Sequence, residues 1–167
     1  MRLSAFVVSI ALSFLVLTSS ANADTVTIAE STPFSETSGA SDNVKKECNI
    51  QGRLPKHIKS YAKKHTDVIA TAEDLESVEG KVLFLEFEHV FAPGGGGYSG
   101  AKSVSVAGEL KENGEVIASL TVDRSTIIGM MPGTCSMLRR VAKKLGQDIG
   151  KWLEAPEMDS LLGQAAK

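Results

Sequence analysis

The sequence predicts an α+β fold, in which an antiparallel sheet of three to four strands carries two main helices on one face. Two observations lead to this prediction. Asn113-Gly114 separates two runs of alternating apolar residues, which is the strongest short-range signal for a β-hairpin. Downstream, apolar residues recur every three or four positions, which is typical of a helix with one buried face. Such a helix needs a sheet to cover, and the apolar face of the hairpin is the natural candidate.

The hairpin is expected to have a three-residue loop, Glu112-Asn113-Gly114, with Gly114 in the left-handed conformation and a bulge. A two-residue loop would place polar Lys111 and Glu109 on the same face as Val116 and Ala118. Because a slip of one residue inverts the two faces of a strand, the apolar pattern should fix the register. The expected pairs are Leu110 with Val116, Gly108 with Ala118, Val106 with Leu120 and Val104 with Val122.

The last helix is predicted to begin at Thr134 as N-cap and to end before Pro156. Gly146 lies beside its apolar stripe, where a close approach to a strand would explain a residue that weakens helices. The stripe consists of Leu138, Val141, Leu145, Ile149 and Trp152.

An earlier helix is predicted over residues 54–65, with Pro55 at its first position. The strongest strand pattern covers residues 82–91, where alternate residues should face the helices. These residues are Leu83, Leu85, Phe87, His89 and Phe91.

The first 23 residues have the features of a secretory signal peptide. Arg2 precedes an apolar stretch of residues 5–17, which is too short to span a bilayer, since a spanning helix needs about 20 residues. Ala21-Asn22-Ala23 is a small-x-small cleavage site. We therefore expect cleavage after Ala23, a periplasmic or secreted mature chain, and no transmembrane segment in it.

The mature chain is predicted to have three parts. Residues 24–46 form a flexible N-terminal arm rich in polar residues, in which residues 25–28 could be a short edge strand. Residues 47–155 form the α+β domain, and 156–167 a tail with a short helix. Without Arg2 the chain has 17 basic and 20 acidic residues, a net charge of −3. This balance argues against nucleic-acid binding, which needs a basic excess.

Cys48 and Cys135 are the only cysteines, and an exported chain favours a disulfide between them. It would connect the start of the first helix to the start of the last. The alternative, a redox pair, lacks the C-x-x-C spacing of such motifs.

Glu86, Glu88 and His89 are the residues that a catalytic or metal site could use. Alternation along a strand points the two glutamates to one side and His89 to the other, so they should not converge. His57 and His65 lack the i, i+4 spacing of a metal pair. We predict no catalytic residues, no metal site and no cofactor.

The glycine-rich stretch around residues 94–100 matches no phosphate-binding loop, nucleophile elbow or dinucleotide fingerprint. It is either a flexible connector or a loop that presents Tyr98 to a partner. The candidate partner-binding residues are Gly94, Gly95, Gly96, Gly97, Tyr98 and Ser99. A second apolar connection, residues 127–131, either caps the core or forms a contact patch.

Basic residues cluster on the outer faces of both predicted helices. This pattern is typical of solvated helix faces, and it also suits an anionic envelope surface.

The hairpin tip Glu112-Asn113-Gly114 and a pattern in the last helix resemble exported bacterial proteins of the domain-of-unknown-function family 4410. The resemblance implies a small α+β cell-envelope protein, and it assigns no functional residue. The matching positions in the last helix are Leu138, Arg140, Leu145, Gly146, Ile149, Trp152 and Leu153.

The sequence thus favours a non-catalytic exported periplasmic binding or accessory protein, whose partner is an envelope protein or an anionic envelope surface. The alternative is a small periplasmic hydrolase or metalloenzyme that uses His89 with Glu86 or Glu88. It requires these side chains to converge in a cleft.

Overall fold

A computed structural model describes residues 25–63, 66–71, 73–126 and 133–164 of the chain. They form a six-stranded sheet with two α-helices packed on one face. The α+β class and the one-sided helix layer are as predicted. The predicted signal peptide, His65 and the connection 127–131 lie outside the described residues.

The strand order across the sheet is β2-β1-β3-β4-β5-β6. In chain order the elements are β1 (Thr25–Ala29), α1 (Ile50–Ala62), β2 (Asp67–Thr71), β3 (Lys81–Phe91), β4 (Ser103–Glu112), β5 (Glu115–Ser125), α2 (Thr134–Trp152) and β6 (Ser160–Gly163). A π-helical turn, Val44–Cys48, precedes α1.

The prediction of an antiparallel sheet of three to four strands is wrong, because the sheet is mixed and has six strands. Only β3, β4 and β5 form antiparallel pairs, whereas β1 is parallel to β2 and β3, and β6 is parallel to β5. Two strand-helix-strand crossovers, through α1 and α2, therefore flank a central meander.

Two short strands differ from the predictions. β1 forms where a short edge strand was considered, but it lies inside the sheet between β2 and β3, and β6 replaces the helix predicted for the tail. Both are only four or five residues long. Alternation over so few residues is a weak signal, and their partners are distant in sequence.

The hairpin has a two-residue loop, Asn113-Gly114, so the predicted three-residue loop is wrong. Lys111 pairs with Val116, and Leu110 then pairs with Ala118, which leaves Ile117 as a bulge. The bulge returns the apolar residues after it to the helix-facing side of the sheet. Along most of the ladder, each residue of β4 pairs with a residue two positions further along β5 than predicted. The observed pairs are Gly108 with Leu120, Val106 with Val122 and Val104 with Arg124.

A second bulge lies in β3 between Phe87 and His89. It turns Val90 into the core, so that His89 and Phe91 are exposed rather than helix-facing as predicted. Glu86 pairs with Ala107 and His89 with Ser105, which places both on the side of the sheet away from the helices.

Helix α1 begins four residues before the predicted start, and Pro55 lies inside it rather than at its first position. Proline has no N–H, so the carbonyl of Gln51, four residues earlier, loses its helical partner. The backbone N–H of Thr32 donates to that oxygen at 3.1 Å. A long-range contact thus satisfies the gap that Pro55 leaves.

Helix α2 buries the predicted stripe against the sheet and α1. Gly146 does allow a close approach, but to α1 and not to a strand. A Cβ at position 146 would overlap the Cβ of His57 and lie 3.1 Å from the backbone N of Ile58. Glycine is needed there by the helix–helix contact.

Cys48 and Cys135 form the predicted disulfide, with their Cα atoms 4.7 Å apart. It connects the turn before α1 to the first turn of α2. Across the described ranges, neither helix is both long and apolar enough to traverse a bilayer.

Candidate partner-binding loop

The connection from β3 to β4 contains the glycine loop, which we define as residues 94–100. A short 3₁₀ turn, Gly96–Ser99, occupies its centre. Gly95, Gly96 and Gly100 have φ angles of 90°, 59° and 88°, a region that side-chain-bearing residues rarely adopt. The backbone path therefore requires glycine at these three positions.

Lys102 fixes one end of the glycine loop from inside the protein. Its side chain is wholly buried, and its Nζ donates to Ser99 Oγ at 2.8 Å and to the carbonyl of Gly100 at 3.1 Å. Within the described ranges it forms no ion pair with a carboxylate. A buried ammonium is costly unless its hydrogen bonds are made, so the loop conformation and the position of Lys102 depend on each other.

Thr134 fixes the other end of the loop to α2. Its Oγ1 accepts a hydrogen bond from the Gly96 N–H at 3.2 Å and lies 3.4 Å from the Pro93 carbonyl oxygen, to which it donates. Thr134 is not the N-cap that the sequence predicts. Gly133 holds that position without a side-chain cap, and the Thr134 hydroxyl serves the loop instead.

The loop is also joined to the end of β5. The backbone N–H of Lys102 donates to Thr126 Oγ1 at 2.9 Å, and the Thr126 N–H donates to the Lys102 carbonyl at 2.8 Å. Thr126, which follows β5, thus binds Lys102 just after the glycine loop, and Thr134, which opens α2, binds the loop itself. The two connections that the sequence singled out as contact regions thus have their ends in one area.

Tyr98 stands at the outside of this hydrogen-bonded loop, with 90% of its side chain exposed. The disulfide lies close to the glycine loop, because the two line the same cavity of about 280 Å³. Its lining includes Gly94, Thr134, Cys48 and Cys135. The cystine, the start of α2 and the glycine loop therefore lie at one end of the molecule.

The loop does not have the chemistry of a nucleophilic site. Ser99 Oγ lies within donating distance of two carbonyl oxygens, that of Gly96 at 3.0 Å and that of Pro93 at 3.2 Å. It also accepts a hydrogen bond from Lys102 Nζ. An activated serine instead needs a base that accepts its proton. These contacts hold the turn in shape.

Glu86, Glu88 and His89 are all exposed. The bulge in β3 brings Glu86 and His89 to the same side, contrary to the prediction. Within the described ranges, however, no three His, Cys, Asp or Glu side chains are close enough to hold a metal ion. The metalloenzyme alternative therefore finds no set of metal ligands among the described residues.

The outer surface of the helix layer is strongly basic, and we call it the basic helix face. α1 has no acidic residue, and the only one in α2, Asp148, is bound by Arg124 of β5 at 2.6 and 2.8 Å. The face consists of exposed Arg53, Lys56, Lys59 and Lys63 along α1, and Arg140, Lys143, Lys144 and Lys151 along α2.

His57 lies between the two rows of this face. Burial lowers the pKa of His57, and the positive charges of Lys143 and Arg53 lower it further. Since one charge comes from each helix, the two basic rows adjoin at this imidazole.

An acidic groove of about 640 Å³ lies away from the residues of the basic helix face. Its lining comes from the end of β1, residues 73–76 and parts of β3 and β4. Acidic residues at its border are Glu73, Asp74, Glu76, Glu86 and Glu109.

Sequence reasoning missed Lys102, Thr126 and Thr134 as supports of the glycine loop. Lysine is rarely fully buried, and a threonine before an apolar stripe is usually an N-cap. No local pattern distinguishes these residues from surface or capping residues. The glycine run and Tyr98 were the only signals available.

No protein-family model matches the sequence, and no curated protein sequence does. Among solved structures, the chain is similar to a protein from Xanthomonas campestris of the domain-of-unknown-function family 330. The TM-score is 0.54 at 10% identity, over 79% of this chain and 84% of that one. That likeness shows a shared fold.

Two further structures are similar at lower scores. They are a minor lipoprotein from Acinetobacter baumannii (TM-score 0.45, 15% identity, 80% of this chain and 92% of that one) and the PelC dodecamer from Paraburkholderia phytofirmans (TM-score 0.43, 18% identity, 74% and 86%). The chain thus shares its fold with a bacterial protein of unknown function, and the resemblance to family 4410 stays a prediction.

Proposed function

We propose that this protein is an exported, non-catalytic accessory protein of the bacterial cell envelope that binds a partner protein through the glycine loop. The disulfide supports export, because disulfides persist in oxidising compartments. Membership in family 4410, periplasmic or secreted location and cleavage after Ala23 belong to the same proposal.

One observation carries the binding proposal, namely that Tyr98 is 90% exposed on a loop that is held by hydrogen bonds to buried Lys102 and half-buried Thr134. Lys102 and Thr134 hold the turn on either side of Tyr98. A rigid loop loses little conformational entropy on binding, and tyrosine is among the residues that most often dominate interface energies. An exposed aromatic ring on a pre-organised loop is well suited to anchor a partner.

Site-specific photo-crosslinking in the native host tests this proposal. A photoreactive residue in place of Tyr98 should give a discrete crosslinked product with one partner, identified by mass spectrometry. The same residue in place of Leu161, which is exposed on β6, is the matched control and should not give it. No product at position 98, or the same product at both positions, would contradict the proposal.

The purified partner allows a quantitative test. We expect Tyr98→Ala to weaken binding by at least about 30-fold, because interface anchors contribute about 2 kcal/mol or more. Its free energy of unfolding should change by less than about 0.5 kcal/mol, since the ring is exposed. Equal affinities of the variant and the wild type, measured by titration calorimetry, would remove Tyr98 from the interface.

A further inference from the structure

The basic helix face lacks the counter-charges that usually balance such a surface. Three basic side chains on α1, that of Lys63 directly after it and four on α2 are exposed, and within the described ranges none forms an ion pair with a carboxylate. The one acidic residue of these helices, Asp148, is ion-paired with Arg124 of β5. The face therefore keeps its positive charge available for an external anion.

The shape of the face suits an extended anion rather than a small one. The basic residues follow one another at spacings of three or four from Arg53 to Lys63, and those of α2 share one side of that helix. The two helices are 13 and 19 residues long. These lengths correspond to about 20 Å and about 28 Å. Neither of the two cavities described above lies on this face. A single small anion could reach only a few of the charges, whereas a planar array of anions can meet many.

The helices themselves are held together so that their rows stay side by side. A Cβ at Gly150 would lie 2.9 Å from the Cβ of Tyr61, and Gly146 contacts α1 as closely. Gly146 faces His57 and Gly150 faces Tyr61 at this contact, so the two rows lie side by side. The two helices form one rigid, two-row basic platform.

We propose that the basic helix face binds the anionic headgroups of a phospholipid membrane. The acidic groove, which shares no residue with this face, would then be kept away from that membrane, because like charges repel. The chain as a whole is acidic, with a net charge of −2, so attraction depends on this segregation of charge and orients the molecule. The proposal does not depend on the glycine loop or on Tyr98.

Vesicle sedimentation tests the proposal with the purified mature chain. We expect binding to vesicles of phosphatidylcholine and phosphatidylglycerol, mixed at about three to one, and none to pure phosphatidylcholine. Raising NaCl from about 0.1 M to about 1 M shortens the screening length from about 10 Å to about 3 Å and should abolish binding. Binding that is equal on neutral vesicles, or unaffected by salt, would overturn the proposal.

Charge-neutralising variants locate the surface. Lys143→Gln/Lys144→Gln removes two charges from the face, and a basic residue close to an anionic surface is worth roughly a fivefold change in affinity. We expect at least tenfold weaker vesicle binding. Lys81→Gln/Lys111→Gln is the matched control, since it makes the same change in net charge on the sheet, and should alter binding less than twofold.

Two further results would also overturn the proposal. An equal loss in both double variants would mean that only net charge matters and would overturn the proposal, provided that circular dichroism shows both to be folded. Salt-sensitive self-association without lipid, with no gain on adding vesicles, would assign the face to a second copy of the chain and overturn it as well. Tyr98→Ala should leave vesicle binding unchanged, which separates this proposal from partner binding.

Discussion

The pKa of His57 is lowered by its surroundings. Its imidazole is half-buried at the α1–α2 contact, beside two basic side chains. Burial is the largest cause of its lowered pKa, followed by Lys143 and Arg53, and all three disfavour the protonated form. The residue is tolerated there because it is neutral at physiological pH.

The stability of the protein should therefore depend on pH through His57. The unfolded chain binds a proton near the ordinary value of 6.5, whereas the folded chain does so only at lower pH. In that window the unfolded state holds more protons, so stability falls as the pH falls below about 6.5. Well above pH 6.5, His57 is neutral in both states and does not make the stability depend on pH.

We expect the wild type to lose more stability than His57→Gln when the pH is lowered from about 8 to about 5. Urea unfolding at both pH values measures the two losses. Packing lost in the variant shifts its stability equally at both pH values, so only the difference between the slopes counts. Equal losses in the two proteins would show that His57 is not the group responsible.

The contact between α1 and α2 depends on glycine in an unusual way for a helix interior. Glycine destabilises a helix by about 1 kcal/mol relative to alanine, yet α2 contains Gly146 and Gly150 on its buried side. At both positions a Cβ would meet α1 within about 3 Å or less. The close approach of the two helices outweighs the cost to the helix itself.

We expect Gly146→Ala to lower the free energy of unfolding by about 1–2 kcal/mol, because overpacking exceeds the gain in helix propensity. Gln147→Ala, on the exposed side of the same turn, is the control and should change it by less than about 0.5 kcal/mol. Urea unfolding measures both. A more stable Gly146→Ala would mean that the helices can separate at little cost.

The elements that the sequence predicted best are those with long, regular patterns. The stripe of α2 is buried as expected, because 19 residues give several turns of evidence. The hairpin faces were also correct except at Val116, which is exposed, but the loop was not. A two-residue turn and the bulge at Ile117 together satisfy the apolar pattern, and alternation alone cannot distinguish that solution from a longer loop.

For the whole molecule, the missing information is long-range. β1 is buried between two strands only because Asp67–Thr71 and Lys81–Phe91 come to lie on its two sides. Five residues with two buried apolar positions could not reveal that. The candidate site has the same limit, since Lys102 and Thr134 reach the glycine loop through the tertiary fold. Their roles follow from contacts, whereas the exposed Tyr98 was visible in the sequence.

The disulfide constrains the molecule at this same long range. Cys48 and Cys135 are separated by 87 positions, so the bond closes a loop that includes most of the sheet. In the chain-entropy account, such a loop restricts the unfolded chain by about 4 kcal/mol, whatever the packing of the folded state. It also holds the start of α2, and with it Thr134, beside the turn that precedes α1.

We expect Cys48→Ser/Cys135→Ser to lower the free energy of unfolding by about 2–5 kcal/mol. Urea unfolding of the oxidised wild type and the variant measures the difference. The reduced wild type is the matched control and should resemble the variant, because both lack only the covalent link. A loss below about 1 kcal/mol would mean that the unfolded chain already keeps the two ends together, most simply through residual contact between α1 and α2.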